Sequence, residues 1–135
     1  MHRKIRPAGL RANPNYSHGI EVAPGNRFVA VAGQTGQRPD GSVPDGIAAQ
    51  ADLAWANVLT VLHAAGMGPE HIVHYTSYIV AGVDTSPYDE ARMRHLGASR
   101  PASTKIIVAG LARPELLCEV QAFAAAPVGT GEPVV

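Results

Sequence analysis

DGIAAQADLAWANVLTVLHAAGMGP, residues 45–69, decides the fold. Ile47, Ala51, Ala54, Trp55, Val58, Leu59 and Leu62 recur at helical spacing and make one apolar stripe. Asp45 reads as the N-cap. Gly66 and Gly68 end the helix, and Pro69 bars its return. Trp55 lies on the stripe, so it reads as core packing rather than ligand stacking. A striped helix must cover an apolar surface. The segment that follows, Ile72 to Val80, is β-branched and aromatic, which suits a central strand.

Working outward, Ser86-Pro87 opens a second, shorter helix with Pro at its first position, ending near Leu96-Gly97. Two strands follow, Ser103 to Ala109 and Leu116 to Ala124. On the other side, Ser17 to Ala23 alternates and Arg27 to Ala32 is an apolar β-rich run. Pro24-Gly25-Asn26 between them predicts a hairpin. Residues 1–15 read as a loose arm with room for one short strand, and 127–135 as a frayed tail. The order ββαβαββ predicts a single α+β domain, 1–135. It is a two-layer sandwich with a mixed sheet and two helices on one face. The uncovered face, if rich in Val and Ala, would be an interface, so oligomerisation is expected.

At 135 residues and 46% hydrophobic the chain can bury one core, built mainly from Ala, Val, Leu and Ile because aromatics are 5%. Eleven basic and eleven acidic residues leave no excess for phosphate contacts, so no nucleic-acid partner is expected. Cys118 is the single cysteine, sits in an apolar run and reads as a small buried hydrophobe. No long apolar run follows the basic N-terminus, and none approaches a membrane span. A cytoplasmic protein with no membrane partner is the expectation.

Five segments carry a resemblance. Asn15-Tyr16-Ser17-His18-Gly19 precedes a strand. Val31-Ala32-Gly33-Gln34 ends one. Ile47-Ala48-Ala49-Gln50-Ala51 opens the first helix, with Asn57-Val58-Leu59 and Ala64-Ala65-Gly66 downstream. Arg100-Pro101-Ala102-Ser103-Thr104 and Glu119-Val120-Gln121-Ala122 follow in order. Together, over residues 10–126, they resemble the Rid (YjgF-type) family of imine and enamine deaminases. The resemblance implies a chorismate-mutase-like homotrimer whose clefts are lined by two chains. It also implies hydrolysis of small imines or enamines to a carbonyl compound and ammonia, with no metal or organic cofactor. Tyr16 and Glu119 match the family's tyrosine and acid, and Gly33 its glycine. Ser103 stands where the deaminating members keep the arginine that grips a substrate carboxylate, and Ala32 where a serine is frequent. An atypical substrate, or binding without catalysis, follows from those departures.

Strand alternation adds a residue to this site. Ser103, Lys105, Ile107 and Ala109 share one face, so Lys105 faces as Ser103 does, roughly 6.5–7 Å along. It could return the missing positive charge or act as an amine base; equally it could extend to solvent. Glu119, among Leu, Cys, Val and Ala, could position the hydrolytic water, or be an exposed glutamate on the open face. His18, His63, His71, His74 and His95 show no metal-ligand spacing, so no metal is expected. Gly33-Gln34-Thr35-Gly36 lacks the Gly-Lys-Ser/Thr ending of a phosphate loop; it reads as a place where backbone amides approach a ligand.

Overall fold

A helix whose buried stripe is Ala51, Ala54, Trp55, Val58 and Leu62 needs an apolar floor, and a four-stranded sheet supplies it. The computed structural model describes residues 2–129. In chain order the elements are β1 (Arg3–Ile5), β2 (Gly19–Glu21), β3 (Asn26–Gln34), α1 (Ile47–Ala64), a short 3-10 turn (Pro69–His71), β4 (Ile72–Val80), α2 (Ser86–Leu96), β5 (Ala102–Val108) and β6 (Cys118–Pro127). The sheet runs β3-β6-β4-β5. β4 and β5 are parallel and joined by α2; the other neighbours are antiparallel. Both helices lie on one face, so the fold is the expected two-layer α+β sandwich. The frayed tail expected over 127–135 lies, from 130 onward, outside the described residues.

Register assigns the two faces. Val31, Ala122 and Tyr75 are neighbours, as are Val120 and Ser77, and Cys118 and Ile79; all face the helices and are buried. Trp55 meets Tyr75 edge-on, with 5.0 Å between ring centroids. Fully burying one such large apolar side chain contributes roughly 1.5–3 kcal/mol. Ser77 and Tyr88 share a short hydroxyl–hydroxyl hydrogen bond in this core. Burial pushes the Cys118 thiol up to about 12, in keeping with a hydrophobe rather than a nucleophile.

Gly66, at φ 71°, ends α1. Its N–H donates to His63 O and that of Met67 to Leu62 O, the paired bonds of a Schellman end. The start differs from expectation. Gly46, at φ 85°, is the N-cap and no side chain caps the helix, so Asp45 does not fill that role.

The expected hairpin is also corrected. β2 pairs with β1 in a separate two-stranded sheet, and β3 pairs with β6. Pro24 has no N–H to give a ladder, and Gly25 at φ 85° turns the chain away. β3 then finds the ten-residue β6, which offers a far longer ladder than three-residue β2. The open face is a third correction. The Val and Ala residues of β3 and β6 mostly point into the core. The open face instead carries Phe28 stacked on Phe123, 5.7 Å apart, with Ile106 and the polar Thr76, Tyr78 and Gln121. Phe28 is 63% exposed. No described helix is long and apolar enough to cross a membrane.

Candidate functional site

The Arg100-Pro101 segment shapes a cleft at the β5 edge. Arg100 donates from Nε to Pro14 O at 2.9 Å, and from Nη1 to Gly97 O and Ser99 O at 2.8 and 2.7 Å. Ser17, buried, donates its hydroxyl to Arg100 O at 2.5 Å and its N–H to Pro101 O at 3.2 Å. These bonds lock the chain around Tyr16 against the start of β5. The result is a cleft of about 350 Å³ in which Tyr16, Ser103 and Lys105 meet Asp89 and Arg92 of α2. Lys105 does share Ser103's face, since their β4 partners are Ser77 and Tyr75, both facing the helices. Its Nζ donates to Asp89 Oδ1 at 2.7 Å. Lys105 is therefore held by a partner on α2 rather than extended freely into solvent.

Sequence reasoning misses Asp89 and Arg92. The available signal is their i,i+3 spacing on α2, which sets them on one side of the helix. Nothing in β5 alone says that this side faces Ser103.

Glu119 lies on the other face of the sheet. Glu119 pairs with Tyr78 and shares its open face. It is half-buried and, among the described residues, makes no hydrogen bond or ion pair. The ladder between β3 and β6 shifts register between Val31 and Gln34, placing Ala32 and Gly33 in an irregular stretch. Glu119 packs against Gly33: a methyl built there would lie 2.0 Å from Oε2 and 2.9 Å from the carboxyl carbon. Only glycine leaves that carboxylate its place. Beyond Gly33 a second cleft of about 580 Å³ runs over the 34–41 loop. Asn57 holds that loop by donating to Thr35 O and Gln37 O at 3.0 and 3.1 Å.

Within one chain, then, Tyr16, Ser103 and Lys105 line one cleft and Gly33 meets Glu119 elsewhere, Glu119 being on the opposite face of the sheet from Ser103 and Lys105; Ala32 is exposed, its carbonyl accepting from Gln34 Nε2 at 3.1 Å. Among the described residues, no group of three His, Cys, Asp or Glu is placed to hold a metal ion.

A family model described as endoribonuclease L-PSP matches residues 7–126. YyfB of Yersinia pestis, described as a conserved Rid family protein of unknown function, is similar over 93% of this chain and 98% of its own, at 28% identity and a TM-score of 0.82. The chain belongs to the Rid/YjgF family. A second Rid/YjgF structure, Rv2704 from Mycobacterium tuberculosis, is 30% identical over 82% of this chain and 86% of its own, with a TM-score of 0.63. TdcF of E. coli, solved with serine bound, is 25% identical over 85% of this chain and 91% of its own, with a TM-score of 0.66. Membership supports a small-molecule role, as an enzyme or a ligand binder.

Proposed function

We propose that this Rid protein is a cofactor-independent hydrolase of small imines and enamines, working in clefts lined by two copies of a homotrimer. The observation that carries the reading is the Glu119 carboxylate, half-buried, without a partner among the described residues and seated against Gly33. In imine hydrolysis, water adds to the carbon and the C–N bond then breaks to give a carbonyl compound and ammonia. A carboxylate can take a proton from the attacking water and return it to the departing nitrogen. Gly33 and Ala32 expose backbone beside it, where a polar substrate atom could bond. Lys105, already paired with Asp89, acts as a charge in the opposite cleft rather than as an amine nucleophile.

The opposed placement of the two sets of residues supports assembly. A neighbouring copy can bring a Tyr16–Ser103 cleft to a Glu119 that its own chain cannot reach. Phe28, Ile106 and Phe123 give the open face an apolar surface to cover. Eleven acids balance eleven basic residues, so cleavage of RNA is the weaker reading. A ligand-binding trimer is the second reading. It is favoured by uncharged Ser103 and by the serine bound to TdcF.

The test is ammonia release from imines generated in situ by an amino-acid oxidase. The wild type is expected to accelerate it. Glu119→Gln is expected to remove that acceleration by roughly 10²–10⁴-fold while leaving the fold intact. No acceleration by wild type, with ligand binding seen by calorimetry, would leave the binding protein.

A further inference from the structure

Arg92 is a buried cation whose bonding is unfinished. Its side chain is only 11% exposed. Its Nε is fully buried without a hydrogen-bond partner among the described residues. Its nearest acid is Asp89, with Nη2 3.7 Å from Oδ1, too long for a hydrogen bond. That same Oδ1 is already bonded to Lys105 at 2.7 Å. A guanidinium has five donors in a rigid fork, and burying it unbonded is costly. Arg92 also lines the cleft, so a planar oxyanion entering it can meet the terminal Nη groups, whereas the fully buried Nε stays out of its reach.

The charge count says which anion. Arg92 and Lys105 bring two positive charges and Asp89 one negative, leaving a single positive charge for a ligand to neutralise. A monoanion fits; a dianion leaves excess negative charge beside Asp89. Ser103 fits the same picture. A second guanidinium at 103 would crowd and repel Arg92 in a cleft of about 350 Å³, whereas serine leaves room and an added hydroxyl. With serine at 103, the positive charge of the cleft rests on Arg92 and Lys105.

We propose that this cleft binds the carboxylate of a small ligand, with Arg92 of α2 as the bidentate anchor and Lys105 as the second cation. This deepens the reading above and rests on Tyr16 and Ser103 lining the substrate cleft. It changes where specificity is written: the anion anchor sits on the crossover helix.

The test measures binding rather than turnover. Calorimetry with pyruvate, inorganic phosphate and uncharged butanone is run on the full chain and its variants. Pyruvate is expected to bind more tightly than phosphate. Arg92→Met should weaken pyruvate by at least roughly tenfold while leaving butanone unchanged. Arg92→Lys, which keeps charge but loses the fork, should fall between. Because Arg92→Met could unfold a buried site, Asp89→Asn provides a gain. Removing the competing acid should tighten pyruvate, which damage to the fold would not do. Equal pyruvate binding by wild type and a folded Arg92→Met overturns the proposal, as does no pyruvate binding by wild type. Tighter phosphate than pyruvate overturns the monoanion assignment. Arg92-dependent pyruvate binding without imine hydrolysis upholds the anchor and sinks the hydrolase. Hydrolysis without Arg92-dependent binding does the reverse.

Discussion

The two faces of the sheet treat charge differently. At the β5 edge two cations are tied down: Lys105 holds Asp89, and Arg100 is bonded to three carbonyls. On the open face Glu119 has no partner among the described residues. Paired charges at the edge act as scaffold, fixing Tyr16 and Ser103 in place. Arg92, incompletely bonded, and Glu119, without a partner among the described residues, lie on opposite sides of one four-stranded sheet. The candidate site residues of a single copy therefore lie on two faces of its sheet.

The sharpest way to break that comparison is complementation. If each cleft takes its anchor from one copy and its acid from another, Glu119→Gln and Arg92→Met each lose most of the activity at low substrate. Mixed after unfolding and joint refolding, they should recover about a quarter of wild-type activity, the random share of clefts receiving both intact halves. No recovery would place the working site within one copy. A smaller effect is expected at Gly33. Gly33→Val pushes the Glu119 carboxylate from its seat, and a displacement on the order of 1 Å can cost roughly a hundredfold in rate. The ammonia assay reads that loss, while pyruvate affinity should stay as in wild type because Arg92 is untouched. The smallest effect concerns the scaffold itself. Lys105→Met breaks a partly exposed ion pair, which typically contributes about 0.2–1 kcal/mol, so urea midpoints should barely move. A large shift would mean that the edge cleft supports the fold more than it serves a ligand.

Much of the fold is legible in the amino-acid sequence. The α1 stripe, the strand Ile72–Val80 and the helix opened by Ser86-Pro87 all lie where periodicity and punctuation put them. These are local signals, read within a single element. Pairing is not local. Nothing in Ser17–Ala23 reports that its partner is Arg3–Ile5 rather than the adjacent strand. The site shows the same limit. Alternation along β5 correctly sets Lys105 on Ser103's face. It cannot relate β5 to β6, because the face of Glu119 depends on register across β4, where Tyr78 faces away from Ser77. Arg92 gives no sign in the sequence because its meaning lies in a contact between α2 and a strand edge.

β6 is central in the sheet but is the last described strand to be made. On a ribosome adding roughly 5–20 residues per second, β3 emerges several seconds before β6, its ladder partner in the four-stranded sheet. Tyr16 likewise waits for Arg100 to be translated before its surroundings exist. Helices can form during that interval; the sheet cannot close from one end. A nascent chain therefore holds Phe28 and the unpaired edges of β3 and β4 open until translation has passed Pro127. That makes this small domain dependent on its last strand for protection from its neighbours on a polysome.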